Sequence, residues 1–64
     1  MRLKTVFEPS DEGGYTAHVP GLPGCISEGG NLNEARVNNR EAISLWIQAD
    51  SSDVRDLVVV EELR

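Results

Sequence analysis

The chain has almost nothing with which to crosslink itself: one cysteine and one histidine in 64 residues. A single cysteine closes no internal disulfide, and one cysteine with one histidine completes no structural zinc site. Cations are also scarce, six lysines and arginines against eleven aspartates and glutamates, which leaves a formal net charge of −5 and a pI near 4.6. Phosphate contacts supply most non-specific nucleic-acid affinity and need clustered cations, so direct DNA or RNA binding is not expected. A basic protein partner suits this charge better. The chain has no long apolar run, and with 39% hydrophobic residues and a mean hydropathy of −0.32 it reads as a soluble, folded domain. That balance fits neither a disordered acidic tail nor a membrane span. Arg2 and Lys4 sit inside an alternating pattern and not ahead of an apolar run, so no secretion signal is read and the cytoplasm is the expected location.

Residues 2–8 alternate, with Leu3, Thr5 and Phe7 on one face and Arg2, Lys4, Val6 and Glu8 on the other, which predicts a half-buried strand. The turn formers Pro9-Ser10-Asp11-Glu12-Gly13-Gly14 predict a hairpin into a second strand, where Tyr15, Ala17 and Val19 alternate with Thr16 and His18. Pro20-Gly21 and Pro23-Gly24 break the pattern, because proline lacks an amide hydrogen and glycine admits positive φ. A short third strand over 25–28, antiparallel to the second, fits before Gly29-Gly30 reverse the chain. Asn31 stands where a helix N-cap belongs, with Glu34 as the returning half of a capping box.

The helix is predicted over about 32–49, with Leu32, Ala35, Asn39, Ala42, Ile43, Trp46 and Ala49 on one stripe and Ile47 at its edge. Ala35 and Ala42 let it approach the strands, and Trp46 is expected to supply the largest single apolar burial. After the polar stretch Asp50-Ser51-Ser52-Asp53, the β-branched run over 57–60 predicts a fourth strand that returns beside the first, parallel to it, through a right-handed crossover. The predicted fold is α+β, β-β-β-α-β, with one helix on one face of a four-stranded sheet, as a single domain over residues 1–64.

Val19-Pro20-Gly21-Leu22-Pro23-Gly24-Cys25, followed by Gly29, Glu34-Ala35, Asn38 and Glu41-Ala42, resembles the signature of the HicB antitoxin family. The chain departs from that pattern at Asn31, where threonine is usual, and at Arg36 and Asn39, where the family tends to be apolar. The resemblance implies the same layout, described as a degraded ribonuclease H-like half fold. It also implies a protein-binding module that neutralises a HicA-type mRNA-cleaving toxin. Many family members continue into a C-terminal DNA-binding segment. None follows the fourth strand before Arg64, so autonomous DNA binding is not expected.

Candidate chemistry is sparse. His18 has no serine, cysteine or aspartate placed by motif to work with it, so a strand histidine without a catalytic role is expected. Cys25 reads as a small core filler. A nuclease needs carboxylates converging on one site, yet Asp11 and Glu12 fall in a hairpin turn and Glu8 ends its strand. Neither Gly-Gly pair is followed by the Lys-Ser/Thr of a phosphate-binding loop. Asn39, near the stripe centre, is expected to bond a loop carbonyl. No cofactor, metal or catalytic activity is therefore expected.

Two interaction surfaces remain. Asp11, Glu12, Glu28, Glu34 and Glu41 are the expected surface for a basic toxin. One helix covers only one face of a sheet, so the other face, with Val6, Val58 and Val60, or an exposed edge of the sheet, is expected to meet a second subunit, giving a homodimer or higher oligomer. An oligomeric protein with another partner, or an RNA-processing hydrolase, are the readings that compete with a toxin-binding role.

Overall fold

A computed structural model describes residues 1–48 and 55–64, and arranges them as β1 (Arg2–Pro9), β2 (Tyr15–His18), β3 (Ile26–Gly29), α1 (Leu32–Ile47) and β4 (Val58–Leu63). The sheet order is β3-β2-β1-β4. β1 pairs antiparallel with β2, β2 antiparallel with β3, and β4 returns parallel to β1 with Arg2 beside Val58 and Lys4 beside Val60. This is the predicted α+β fold. The expected residues Ala49 and Asp50-Ser51-Ser52-Asp53 lie outside the described residues; α1 ends at Ile47, and Gln48 caps it in the left-handed region at φ 53°. The fourth strand runs three residues beyond its predicted end because its parallel ladder with β1 continues until Leu63 lies beside Phe7, and its glutamates meet cations there. Glu61 takes a two-pronged contact from Arg36, at 2.7 and 2.9 Å, and Glu62 takes Lys4 at 2.6 Å and Arg64 at 2.8 Å.

The two proline-glycine pairs act as tandem turns. Leu22 N donates to Val19 O at 3.0 Å and Cys25 N donates to Leu22 O at 2.9 Å, so each pair occupies the centre of a four-residue turn and Leu22 is the hinge between them. Val19 N then donates to Cys25 O at 3.1 Å, closing the loop. The helix begins as its cap requires: Asn31 is extended, and its Oδ1 accepts from Glu34 N at 2.8 Å. Glu34 reaches back to Gly30 N at 3.1 Å, one residue before the cap itself.

Two apolar clusters form the interior. Val19, Cys25, Ile43 and Leu57 make one, and Phe7, Ala17 and Ala35 the other. Between them Thr5 and Asn39 are buried together, with Asn39 Nδ2 donating to Thr5 Oγ1 at 3.0 Å. The partner of Asn39 is thus a strand hydroxyl and not the expected loop carbonyl. Trp46 also departs from expectation: it remains 45% exposed, and its indole N–H donates to Pro23 O at 2.9 Å. Helical periodicity placed it on the right stripe, but the last turn of α1 meets the proline-glycine loop instead of the strands, so the ring lies against that loop.

Close backbone approach, not turn conformation, explains Gly29. Its φ is not positive, but a Cβ there would sit 2.4 Å from Ala35 N, in the first turn of α1. Gly14 needs both, with φ +79° and a Cβ position 2.3 Å from Gly29 O. These contacts press the β1–β2 hairpin, the end of β3 and the start of α1 together.

Three outcomes follow from this packing. Asn31→Ala is expected to cost about 1 kcal/mol of unfolding free energy, measured by urea titration. Gly29→Ala is expected to cost roughly 1–3 kcal/mol, because the neighbour is backbone and cannot rotate away; an unchanged urea midpoint would contradict this account of the glycine. Hydrogen bonds from Lys4 and Arg64 hold the Glu62 carboxyl below the ordinary carboxylate range. A lowered folded value stabilises the fold above the unfolded value, and that contribution is lost as pH falls through the folded one. NMR titration should find Glu62 titrating low, and Lys4→Gln should move it back upward.

Candidate functional site

The hairpin after β1, the end of β3 and the start of α1 converge on one open recess of about 320 Å³. Ser10, Glu12, Gly13, Tyr15, Glu28, Gly29, Gly30 and Glu34 line it. Each segment arrives there for a local reason. The hairpin is tied by Ser10 N to Gly14 O and Gly13 N to Ser10 O, both at 3.1 Å, and by the Ser10 hydroxyl donating to Gly13 O. Glu34 is fixed by its own capping bond to Gly30 N, and β3 is held against the helix by Asn38 Nδ2 donating to Glu28 O at 2.8 Å.

Three of the five acidic residues singled out by sequence therefore share one concavity: Glu12, Glu28 and Glu34. Asp11 is exposed next to Glu12 in the hairpin, and Glu41 is exposed on α1; neither lines the recess. Tyr15 and Ser10 line it too, and only the approach of the hairpin to the helix shows this. Among the described residues no group of three histidine, cysteine or acidic side chains is disposed to hold a metal ion. What the recess presents is a patch of negative potential with hydrogen-bond acceptors at its rim. Such a patch attracts a guanidinium or ammonium group, and carboxylates take guanidinium in two-pronged fashion.

The other candidates are distributed around the fold. His18 is half-buried on the outer sheet face, beside Val6 and Ile26. Cys25 is a free, buried thiol, and burial pushes its pKa up, away from a reactive thiolate. Val6 faces outward as the alternation predicts, yet it is only 2% exposed, covered on an interior strand between His18 and Glu62. Of the three valines expected to meet a second subunit, Val58 and Val60 alone offer open surface, at 52% and 40%. A second apolar patch, not anticipated from sequence, surrounds a groove of about 310 Å³ where Leu45 and Trp46 stand exposed beside Ile26. No helix among the described residues is long and apolar enough to cross a membrane.

Comparison with known proteins converges on one family. A family model described as "HicB_like antitoxin of bacterial toxin-antitoxin system" matches residues 4–64. A UPF0150 protein of Helicobacter pylori is 47% identical over 47 residues, covering 73% of this chain and 64% of that one. A UPF0150 protein of Thermoplasma acidophilum is 35% identical over 49 residues, covering 77% and 71%. A 14.9 kDa protein of Haemophilus phage HP1 is 46% identical over 44 residues, but this chain spans only 33% of its length. No solved structure matches the chain. The proline-glycine turns, the capped helix and the strand that returns beside β1 all lie within the matched span, and the chain belongs to the HicB-like antitoxin family.

Proposed function

We propose that this chain is an antitoxin that neutralises a HicA-type mRNA-cleaving toxin in the cytoplasm by binding it, and that the acidic recess is where the toxin docks. Membership in an antitoxin family supports a protein partner. The observation that carries the site is the convergence of Glu12, Glu28 and Glu34 from three segments onto one concavity of a chain with net charge −5. A toxin that holds RNA needs a basic surface, and a carboxylate-lined recess is complementary to it. Complementary charge raises association rate and specificity, and it covers the surface that RNA would otherwise occupy. The antitoxin works as a homodimer or higher oligomer, with Val58 and Val60 buried between copies.

Co-expression with a HicA-type toxin tests the site. The double variant Glu12→Lys/Glu28→Lys is expected to weaken toxin binding by about a hundredfold, on the order of 2.7 kcal/mol, and to abolish rescue of growth. Asp11→Lys/Glu41→Lys makes the same change in net charge away from the recess lining, and a much smaller loss is expected. Equal losses in the two double variants would assign the effect to net charge and remove the recess as the docking site. Calorimetry with the purified toxin supplies the affinities.

A further inference from the structure

β3 and β4 are the two edges of the sheet. An edge strand presents unpaired N–H and C=O groups that another strand can extend, unless something covers, shortens or charges it. β3 is short, four residues, and Asn38 occupies the Glu28 carbonyl. β4 has six residues, opens with three valines, and contains neither proline, glycine nor lysine. Val58 N donates to Met1 O and Arg64 N to Phe7 O, so the even-numbered residues of β4 turn their backbone groups to β1. By the alternation of a strand, Val59, Glu61 and Leu63 turn theirs outward.

We propose that a second copy of this chain pairs along that edge, β4 antiparallel to β4 about a twofold axis at Val60, forming one eight-stranded sheet. This rests on the reading above that the chain self-associates, and it names the edge and the register. The outward groups must face one another across the axis, which restricts the axis to a few positions. An axis at Glu61 sets two glutamates directly opposite, which is destabilising. An axis at Val59 sets Glu62 and Leu63 against the turn before the strand and leaves them without a ladder. An axis at Val60 sets no two glutamates opposite: Val60 meets its mate, Val59 meets Glu61 and Val58 meets Glu62, while Leu63 falls opposite Leu57, just before the strand.

Charge does not oppose this pairing, because Arg36 and Lys4 already sit on Glu61 and Glu62 within each chain. Val60 would meet its symmetry mate as a non-hydrogen-bonded pair, the closer of the two antiparallel arrangements. The twofold consumes both β4 edges, and β3 is four residues long with its Glu28 carbonyl taken by Asn38, so assembly closes at the dimer.

The register is tested by cysteine scanning in a Cys25→Ala background under mild oxidation, alongside sedimentation equilibrium at tens of micromolar. Val60→Cys is expected to form a disulfide-linked dimer, and Val58→Cys to form none, since only position 60 faces itself. Val60→Lys is expected to raise the dimer dissociation constant about tenfold or more while leaving the circular dichroism of the fold unchanged. A dimer that crosslinks equally at 58 and 60, or at neither, overturns this edge and register while leaving self-association intact. A monomer at every concentration overturns both. β4 amides that gain hydrogen-exchange protection only when toxin is added would assign the edge to the toxin and overturn the proposal.

Discussion

One buried hydrogen bond, from Asn39 on the helix to Thr5 on the central strand, sets how the two layers of this protein meet. Both side chains are almost completely buried, and the residues are 34 apart in sequence. An amide buried without a partner costs about 1–3 kcal/mol, so a slide of the helix by one turn would be penalised by that bond as well as by lost packing. Asn39 lies between Ala35 and Ile43 on α1, and Thr5 between Leu3 and Phe7 on β1; the pair therefore separates the interior into its two small apolar clusters. Asn39 is also one of the positions where the chain departs from the apolar residue its resemblance led one to expect. A polar pair gives less transfer energy than two aliphatic side chains, but it names a single alignment of helix on sheet.

That alignment determines where the surfaces fall. α1 packs chiefly against β3 and β2, so its N-terminal turn lands against Gly29 and the hairpin, and its last turn lands on the proline-glycine loop. The first landing gathers Glu12, Glu28 and Glu34 around the acidic recess. The second leaves Trp46 and Leu45 open beside Ile26. Because the helix is offset toward β3, the far strand is left to arginine and lysine for its cover: Arg36 from the helix and Lys4 from β1 sit on the glutamates of β4. These ion pairs are exposed and individually weak. Their consequence is spatial, since Lys4, Arg36 and Arg64 are held on the β4 side and none of them lines the acidic recess. The acidic recess and the β4 edge therefore fall on different sides of one small sheet.

Local chemistry by itself determined the elements of this protein. The alternation over 2–8, the turn residues after Pro9, the asparagine cap with Glu34 behind it, and the valine run after the helix each act over a few residues, and all five elements formed where those signals stand. Strand order was also legible, because a helix between β3 and β4 permits the parallel return beside β1 and the hairpins do the rest. Only tertiary structure decided which residues of a correctly drawn element are covered. Trp46 lies on the apolar stripe but past the ground the strands offer, Val6 faces outward but is shielded by its neighbours, and Asn39 chose a hydroxyl contributed from the far end of the chain. The recess is of the same kind: each glutamate is visible in the sequence, but their meeting depends on two glycines that let three backbones touch. Periodicity reports the direction in which a side chain points; what waits there is set by contacts between residues far apart in the chain.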